Sequence, residues 1–466
     1  MIRAVFLFLV FCASAFPQSP EQNLAKYRNY RNRLQYFVAI GDLPGQSNIA
    51  AIRNHINHNK GTLRFGQHIT YFGEYLGVLA TEYKLLEIYG KERDETLTEL
   101  YYAIQAYIRL DLCESKYPWR HNRDYFDGFA VRTDHSEDFL EDQKKFSNNL
   151  NINLDQENQS FDKLRNSNPG QPAYVDRIVA QTNYLSKEFS EEEKRLEWIK
   201  HSMSQDDICP LLSGLALVVK CLPDSAIIVK DQDGNSILYN FADTAKKIAI
   251  LSVRFMSNID EPYGKANWRM YRPDSSKMEW QLGGLTYFYG TGYVRALDFF
   301  SNDNPMEESV SNAQNILWQL YQIFPLPNFD NRSMLSHLGV VSDSWRFIFF
   351  NTSYSGIKKQ SMINGWQPYY LMMWKFLHDK NRKVNKKMAE EHLNSAPFNG
   401  PYCYKEWEEH ASGRWASSSR YWHNTKNQKY GNKHFRGNYN GTDYMLLYNL
   451  FHLIYKDELP EYEINK

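Results

Sequence analysis

The segment His201-Ser202-Met203-Ser204-Gln205-Asp206-Asp207 stands directly before the apolar run Ile208 to Cys221, so two adjacent carboxylates and an imidazole gather at one helix start. Ser204 is expected as the N-cap, with Asp206 and Asp207 in the first turn, where the helix dipole favours negative charge. Facing a cleft, the same carboxylates suit acid and base work at a glycosidic bond, and His201 suits proton transfer. A second cluster, Asp127 to His135, puts Arg132 and Asp134 on one side of an extended segment, because side chains alternate there. An exposed ion pair is the plainer account of those two. Asp134 with Asp206 or Asp207 would form the separated carboxyl pair of glycoside hydrolysis, about 5 to 10 Å apart.

A helical pattern from Phe65 to Tyr89 carries His68 near its start and Glu74 between Phe72 and Tyr75, on a face otherwise apolar or small. A glutamate in such company must be paired, neutralised or put to use, so Glu74 and His68 join the candidate binding residues. Late in the chain, Trp415, Ser418, Ser419, Arg420, Tyr421, Trp422 and His423 combine aromatic platforms with hydrogen-bonding arms. Sugars stack on such rings, and packing of a loop would use the tryptophans equally well. In hydrolysis, Asp206 or Asp207 and Asp134 would be the acid and base. In elimination, His201 or His423 with Tyr421 would move the proton while Arg132 or Arg420 neutralised a uronate. Thr442 or Asp443 is expected to cap the last helix.

Positioning these residues falls to helices. Apolar residues recur at three- and four-residue intervals over Phe65 to Tyr89 and Thr96 to Leu112, an antiparallel hairpin whose first helix ends at Gly90. The pattern also predicts helices over Tyr174 to Ile199, Gln205 to Cys221, Ile237 to Met256 and Gln281 to Phe300. Met306 to Ile323, Gly365 to Leu377, Lys386 to Leu393 and Asp443 to Tyr455 complete the series. Strand signals are confined to Ala226 to Val229 and Ile237 to Tyr239, one small hairpin around Asp233-Gly234. Glu114 to Phe139 and Pro397 to Asn440 are irregular and aromatic-rich, whereas residues 143–171 read as a solvated loop.

The 54 basic and 54 acidic residues of the 466-residue chain cancel, which argues against nucleic acid as a partner, because that footprint is a basic excess. Met1-Ile2-Arg3, the apolar run Ala4 to Cys12 and Ala13-Ser14-Ala15 have the layout of a cleavable export signal. Residues 1–15 are therefore expected to be removed, leaving 16–466 as a single large helical domain that is secreted, periplasmic or held at the cell envelope. The apolar run is too short for a transmembrane segment. Cys113, Cys209, Cys221 and Cys403 show no CxxC or Cys/His clustering, so no metal and no cofactor are expected. Without GxSxG, HExxH, Walker or strand-linked GxGxxG patterns, serine-hydrolase, zinc-protease and nucleotide chemistry lose support.

A series of helical hairpins joined by long polar and aromatic loops, in a chain that is 15% aromatic, resembles the (α/α) toroids of secreted glycoside hydrolases and polysaccharide lyases. The resemblance is architectural and covers most of the chain after the signal. It implies an all-α fold, a toroid-like array with a minor β-hairpin, and a poly- or oligosaccharide substrate bound in a central cleft. The rival from another class is a non-catalytic glycan- or surface-binding helical envelope protein, which would present its aromatics on an open face.

Overall fold

The computed structural model describes residues 19–34, 37–39, 48–49, 52–54, 63–64, 68–113, 126–130, 203–231, 234–259, 266–271, 286–323, 329–343, 352–361, 366–403 and 437–455. Helix accounts for 68% of the described residues, which makes the fold all-α. The α-helices are α1 (Pro20–Arg33), α2 (His68–Ile88), α3 (Asp94–Cys113), α4 (Gln205–Cys221), α5 (Phe241–Ser257) and α6 (Thr286–Leu297). They continue as α7 (Asn312–Ile323), α8 (Phe329–Ser342), α9 (Thr352–Ser361), α10 (Gln367–Leu377), α11 (Lys386–Ser395) and α12 (Thr442–Ile454). None of the described helices is long and apolar enough to cross a membrane.

Sequence patterning locates α2 to α7 and α10 to α12 to within a few residues, with two refinements. Ile237 belongs to strand β6 (Ser236–Tyr239), and α5 starts only after Asn240, whose side chain caps it by accepting from Asp243 N at 3.0 Å. Met306 precedes a short 3-10 turn, and α7 begins at Asn312. Strand β6 pairs with β5 (Ile227–Lys230) as the expected hairpin, with Ile228 opposite Leu238. The predicted helix from Tyr174 to Ile199 lies outside the described residues. Helices α1, α8 and α9 had no counterpart in the sequence reading, and neither had a four-stranded antiparallel sheet. That sheet has the order β4 (Leu63–Arg64), β3 (Ile52–Asn54), β8 (Gly437–Tyr439), β7 (Tyr402–Cys403). Chain segments far apart meet in it, Ile52 standing opposite Tyr439. Since β4 leads into α2 and β8 into α12, the sheet sits at the N-terminal end of that helix pair.

Five helices follow one another in space: α2 packs on α4, α4 on α8, α8 on α10, α10 on α12, and α12 back on α2. Around them, α3 lies on α2, α5 on α4, α6 and α9 on α8, α7 on α6 and α9, α11 on α10 and α12, and α1 on α12. The inner helices α2, α4 and α12 run parallel. Thr70 meets Asp207 and Gly77 meets Leu217, while Glu74 meets Thr442 and Val78 meets Asn449. Helices α8 and α10 are parallel to each other too, with Ser333 beside Tyr370 and Val340 beside His378.

Backbones of α2 and α4 nearly touch. A Cβ on Gly214 would lie 1.9 Å from Gly73 O, and one on Gly73 would lie 2.4 Å from Pro210 O, so only glycine allows this approach. Large aromatic side chains stand among the aliphatic residues of the core. Trp268, Trp318, Trp366 and Trp374 are all buried, and Tyr27 stacks on Tyr448 with ring centroids 4.6 Å apart.

Candidate functional site

Thr70 and Glu74 are one turn apart on α2 and so share a face. Thr70 Oγ1 donates to Asp207 Oδ1 at 2.7 Å, and Thr442 Oγ1 lies 2.7 Å from Glu74 Oε2, with Asn440 Oδ1 as its alternative acceptor at 3.0 Å. Asp443 follows Thr442 and accepts from Tyr444 N at 2.8 Å through Oδ1. Glu74 in the second turn of α2 and the first-turn residues Asp207 of α4 and Asp443 of α12 therefore sit in one layer, with Glu74 and Asp207 each 2% exposed and Asp443 0%. Helix starts suit Asp207 and Asp443 electrostatically, because peptide N–H groups and the positive end of the dipole point there.

The first turn of α10 adds Tyr369 and Tyr370. Burial raises both phenols well above the ordinary tyrosine range, and the nearby Asp443 charge adds to the shift. On the far side of Asp443, Tyr30 of α1 is raised by burial and by Asp443, against the opposing pull of Arg33. Arg33 is buried under Tyr30 and Phe37 and donates from Nη2 to Tyr439 O at 3.1 Å. Gly441, at φ 79°, precedes α12 where a Cβ would lie 2.7 Å from the Tyr30 ring.

Deeper along α4, the polar lining continues. Cys209 Sγ lies 3.0 Å from the Tyr293 hydroxyl, which donates to Gln205 O, and Gln205 Nε2 donates to Trp268 O at 3.2 Å. Burial pushes the Cys209 thiol up, so it is a packed thiol and not a nucleophile. Ser213 Oγ lies 2.9 Å from His337 Nδ1 on α8, and the Ser333 and Tyr370 hydroxyls are 2.9 Å apart. Burial lowers His337 to about 3, so the imidazole is neutral.

Of the residues singled out from sequence, the structure unites Asp207 and Glu74. Asp206 is half-buried beside the Ser204 hydroxyl, on a different side of the helix from its neighbour. That contact corrects the expectation for Ser204: it occupies the N-cap in extended conformation, but its hydroxyl turns to the Asp206 carboxylate and caps no backbone N–H. At the start of α12 the N-cap position is Gly441, and first-turn N–H groups are taken by side chains: Asn440 Oδ1 accepts from Thr442 N at 3.1 Å and Asp443 Oδ1 from Tyr444 N at 2.8 Å. His68 begins α2, while Arg132, Asp134, His201, Trp415, Arg420, Tyr421, Trp422 and His423 lie outside the described residues. Of the second cluster the structure holds Asp127 to Ala130, fixed by Asp111, whose carboxylate accepts from Asp127 N at 3.0 Å and Gly128 N at 2.7 Å.

Sequence reasoning passed over Tyr369, Tyr370, His337 and Arg33, and assigned Asp443 a mere capping role. Glu82, by contrast, is structural. Arg31 Nε donates to Glu82 Oε2 at 2.8 Å and Arg31 Nη2 to Glu99 Oε2 at 2.7 Å, with Thr96 also donating to Glu82. Burial would raise the Glu82 carboxyl, but Arg31 outweighs it and holds it below the usual carboxylate value.

Among the described residues no group of three or more His, Cys, Asp or Glu side chains is placed to hold a metal ion. The layer instead combines carboxylates with hydroxyl and amide groups. The chain matches no protein-family model, no curated protein and no solved structure.

Proposed function

We propose that this chain is an exported carbohydrate-active enzyme, a glycoside hydrolase or polysaccharide lyase, built as an (α/α) toroid with its site at the N-terminal ends of the inner helices. The observation that carries the reading is the layer formed by Glu74, Asp207 and Asp443, three buried carboxylates brought together by helices remote in sequence. Burying a carboxylate is costly, and stability alone is served as well by apolar side chains. The circuit of helices from α2 through α4, α8, α10 and α12 back to α2 supports a toroid. Export rests on the signal-like residues 1–15, and the open-face binding module is disfavoured because the described tryptophans are buried.

The layer is closed to solvent in this conformation, so substrate access requires movement at these helix ends. The test is incubation of the purified chain with a panel of poly- and oligosaccharides, scored for new reducing ends or unsaturated products. Glu74→Gln, Asp207→Asn and Asp443→Asn are assayed alongside, with thermal melts as a control for folding. At least one of the three is expected to lose about 100-fold or more in kcat while melting within a few degrees of the parent. Full activity in all three would remove the assignment.

A further inference from the structure

We infer that His337 Nε2 binds a hydroxyl of an uncharged sugar ring at the inner end of the polar layer, an inference that rests on the glycan-processing reading above. His337 is 1% exposed, and its Nε2 has no hydrogen-bond partner among the described residues although the atom is fully buried. A buried polar atom left unsatisfied in a native fold calls for an explanation, a bound group among them.

The ring is held in place for such a purpose. Its Nδ1 is 2.9 Å from Ser213 Oγ, and it stands edge-on to Tyr370 with centroids 5.0 Å apart, Tyr370 itself being tied to Ser333. Ser213 lies six residues beyond Asp207 on α4, which places His337 about 9 Å deeper along the helix than the carboxylates. His452, also buried with an unpartnered ring nitrogen, differs in position: it lies in the last turn of α12 and packs on Tyr448.

The ligand's chemistry follows from the proton count. Ser213 has one hydroxyl proton and two acceptors in reach, His337 Nδ1 at 2.9 Å and Cys209 O at 3.4 Å. If that proton goes to His337, Nε2 is a donor; if it goes to Cys209 O, Nδ1 carries the ring proton and Nε2 is an acceptor. A hydroxyl satisfies both arrangements, whereas a carboxylate satisfies only the first. Burial keeps the imidazole neutral, at about 3, so it supplies no positive charge to balance a uronate. The site therefore suits a neutral hexose or pentose unit.

The experiment compares the parent with His337→Phe, which keeps a ring and removes the nitrogen, and His337→Gln, which keeps a polar group there. Cellohexaose, xylohexaose, mannohexaose and chitohexaose serve as uncharged probes, and oligoalginate and oligogalacturonate as uronate probes. The expected result is processing of an uncharged probe, with KM raised about tenfold or more in His337→Phe, kcat little changed, and partial recovery in His337→Gln. A merely structural histidine would leave KM within about twofold in every folded variant, and that result overturns the inference. Preference for a uronate probe overturns it too, while leaving the enzyme reading intact. Failure to process or bind any probe instead defeats the glycan reading, and this inference with it. Should His337→Phe fail to fold, the KM of His337→Gln against that of His337→Ala decides the same question.

Discussion

Thr442, the first residue of α12, lies with its hydroxyl 2.7 Å from Glu74 Oε2, on the face of α2 that one turn earlier binds Asp207 through Thr70. Thr70 thus ties the Asp207 carboxylate of α4 to this face, and Glu74 ties Thr442 of α12 to it. This is how α4 and α12 are aligned at their N-terminal ends.

Removing either hydroxyl should be felt as a lost donor to a buried carboxylate. Thr442→Val and Thr70→Val are each expected to destabilise by about 1 to 3 kcal/mol, read from urea denaturation midpoints at constant slope. Changes below about 0.5 kcal/mol, the size expected of an ordinary surface substitution, would mean that the threonines do not hold these carboxylates.

The α2 and α4 contact makes a sharper demand. On Gly214 an added methyl would meet Gly73 O at 1.9 Å, backbone against backbone, whereas on Gly77 it would meet the flexible Leu217 Cδ1 at 2.9 Å. Gly214→Ala should therefore cost about 3 kcal/mol or more and Gly77→Ala distinctly less, since overpacking typically costs 1 to 3 kcal/mol. Equal effects at the two positions would contradict the geometry.

How much of this could be read from residues alone follows the side chains' polarity. Helix α5 buries an apolar stripe, and α2, α4 and α12 are apolar and buried on almost every side, so apolar content and spacing announce them. Helix α1 buries Asn23, Lys26, Asn29 and Arg33 together with Leu24, Tyr27 and Tyr30, and a polar inner face is invisible to hydrophobic periodicity. Its capping box was nonetheless present, Ser19 and Gln22 flanking Pro20. Helix α8 turns Ser333, Ser336 and His337 inward, which hid it in the same way. Strands of two or three residues are too short to show alternation. As for the site, sequence could select the pair Asp206 and Asp207 but not choose between them, because the choice depends on Thr70, 137 residues away.

The Arg31 network joins α1, α2 and α3 and is the most buried ionic element among the described residues. Arg31→Met would leave Glu82 and Glu99 buried without their shared cation, and a loss of about 3 to 5 kcal/mol is expected. The Glu82 carboxyl is held below its ordinary value of 4.5 in the fold. Its contribution is therefore present above pH 4.5 and lost as pH falls through the folded value. Denaturation of the parent and Arg31→Met at neutral and acid pH should show the gap between them narrowing with acid. A gap independent of pH would refute the linkage.

Lys26 sets the opposite end of the pH range. Its Nζ is buried, donates to Leu393 O at 2.8 Å and stands 5.4 Å from the centre of the Tyr444 ring. Burial lowers the ammonium from 10.5 to about 7. Between those values the unfolded chain holds a proton that the folded chain has released. Stability attributable to this residue should therefore rise with pH across the window, by about 1.4 kcal/mol per unit at most. Below about pH 7 both states are protonated and the full penalty applies. Lys26→Met, similar in length and without charge, should then be more stable than the parent at neutral pH, with the advantage shrinking toward pH 10. Guanidinium denaturation of both proteins at several pH values measures it, and two parallel stability curves would show that Lys26 keeps its ordinary titration. The comparison also isolates α1, because Lys26 anchors that helix to the C-terminal turn of α11 and to α12.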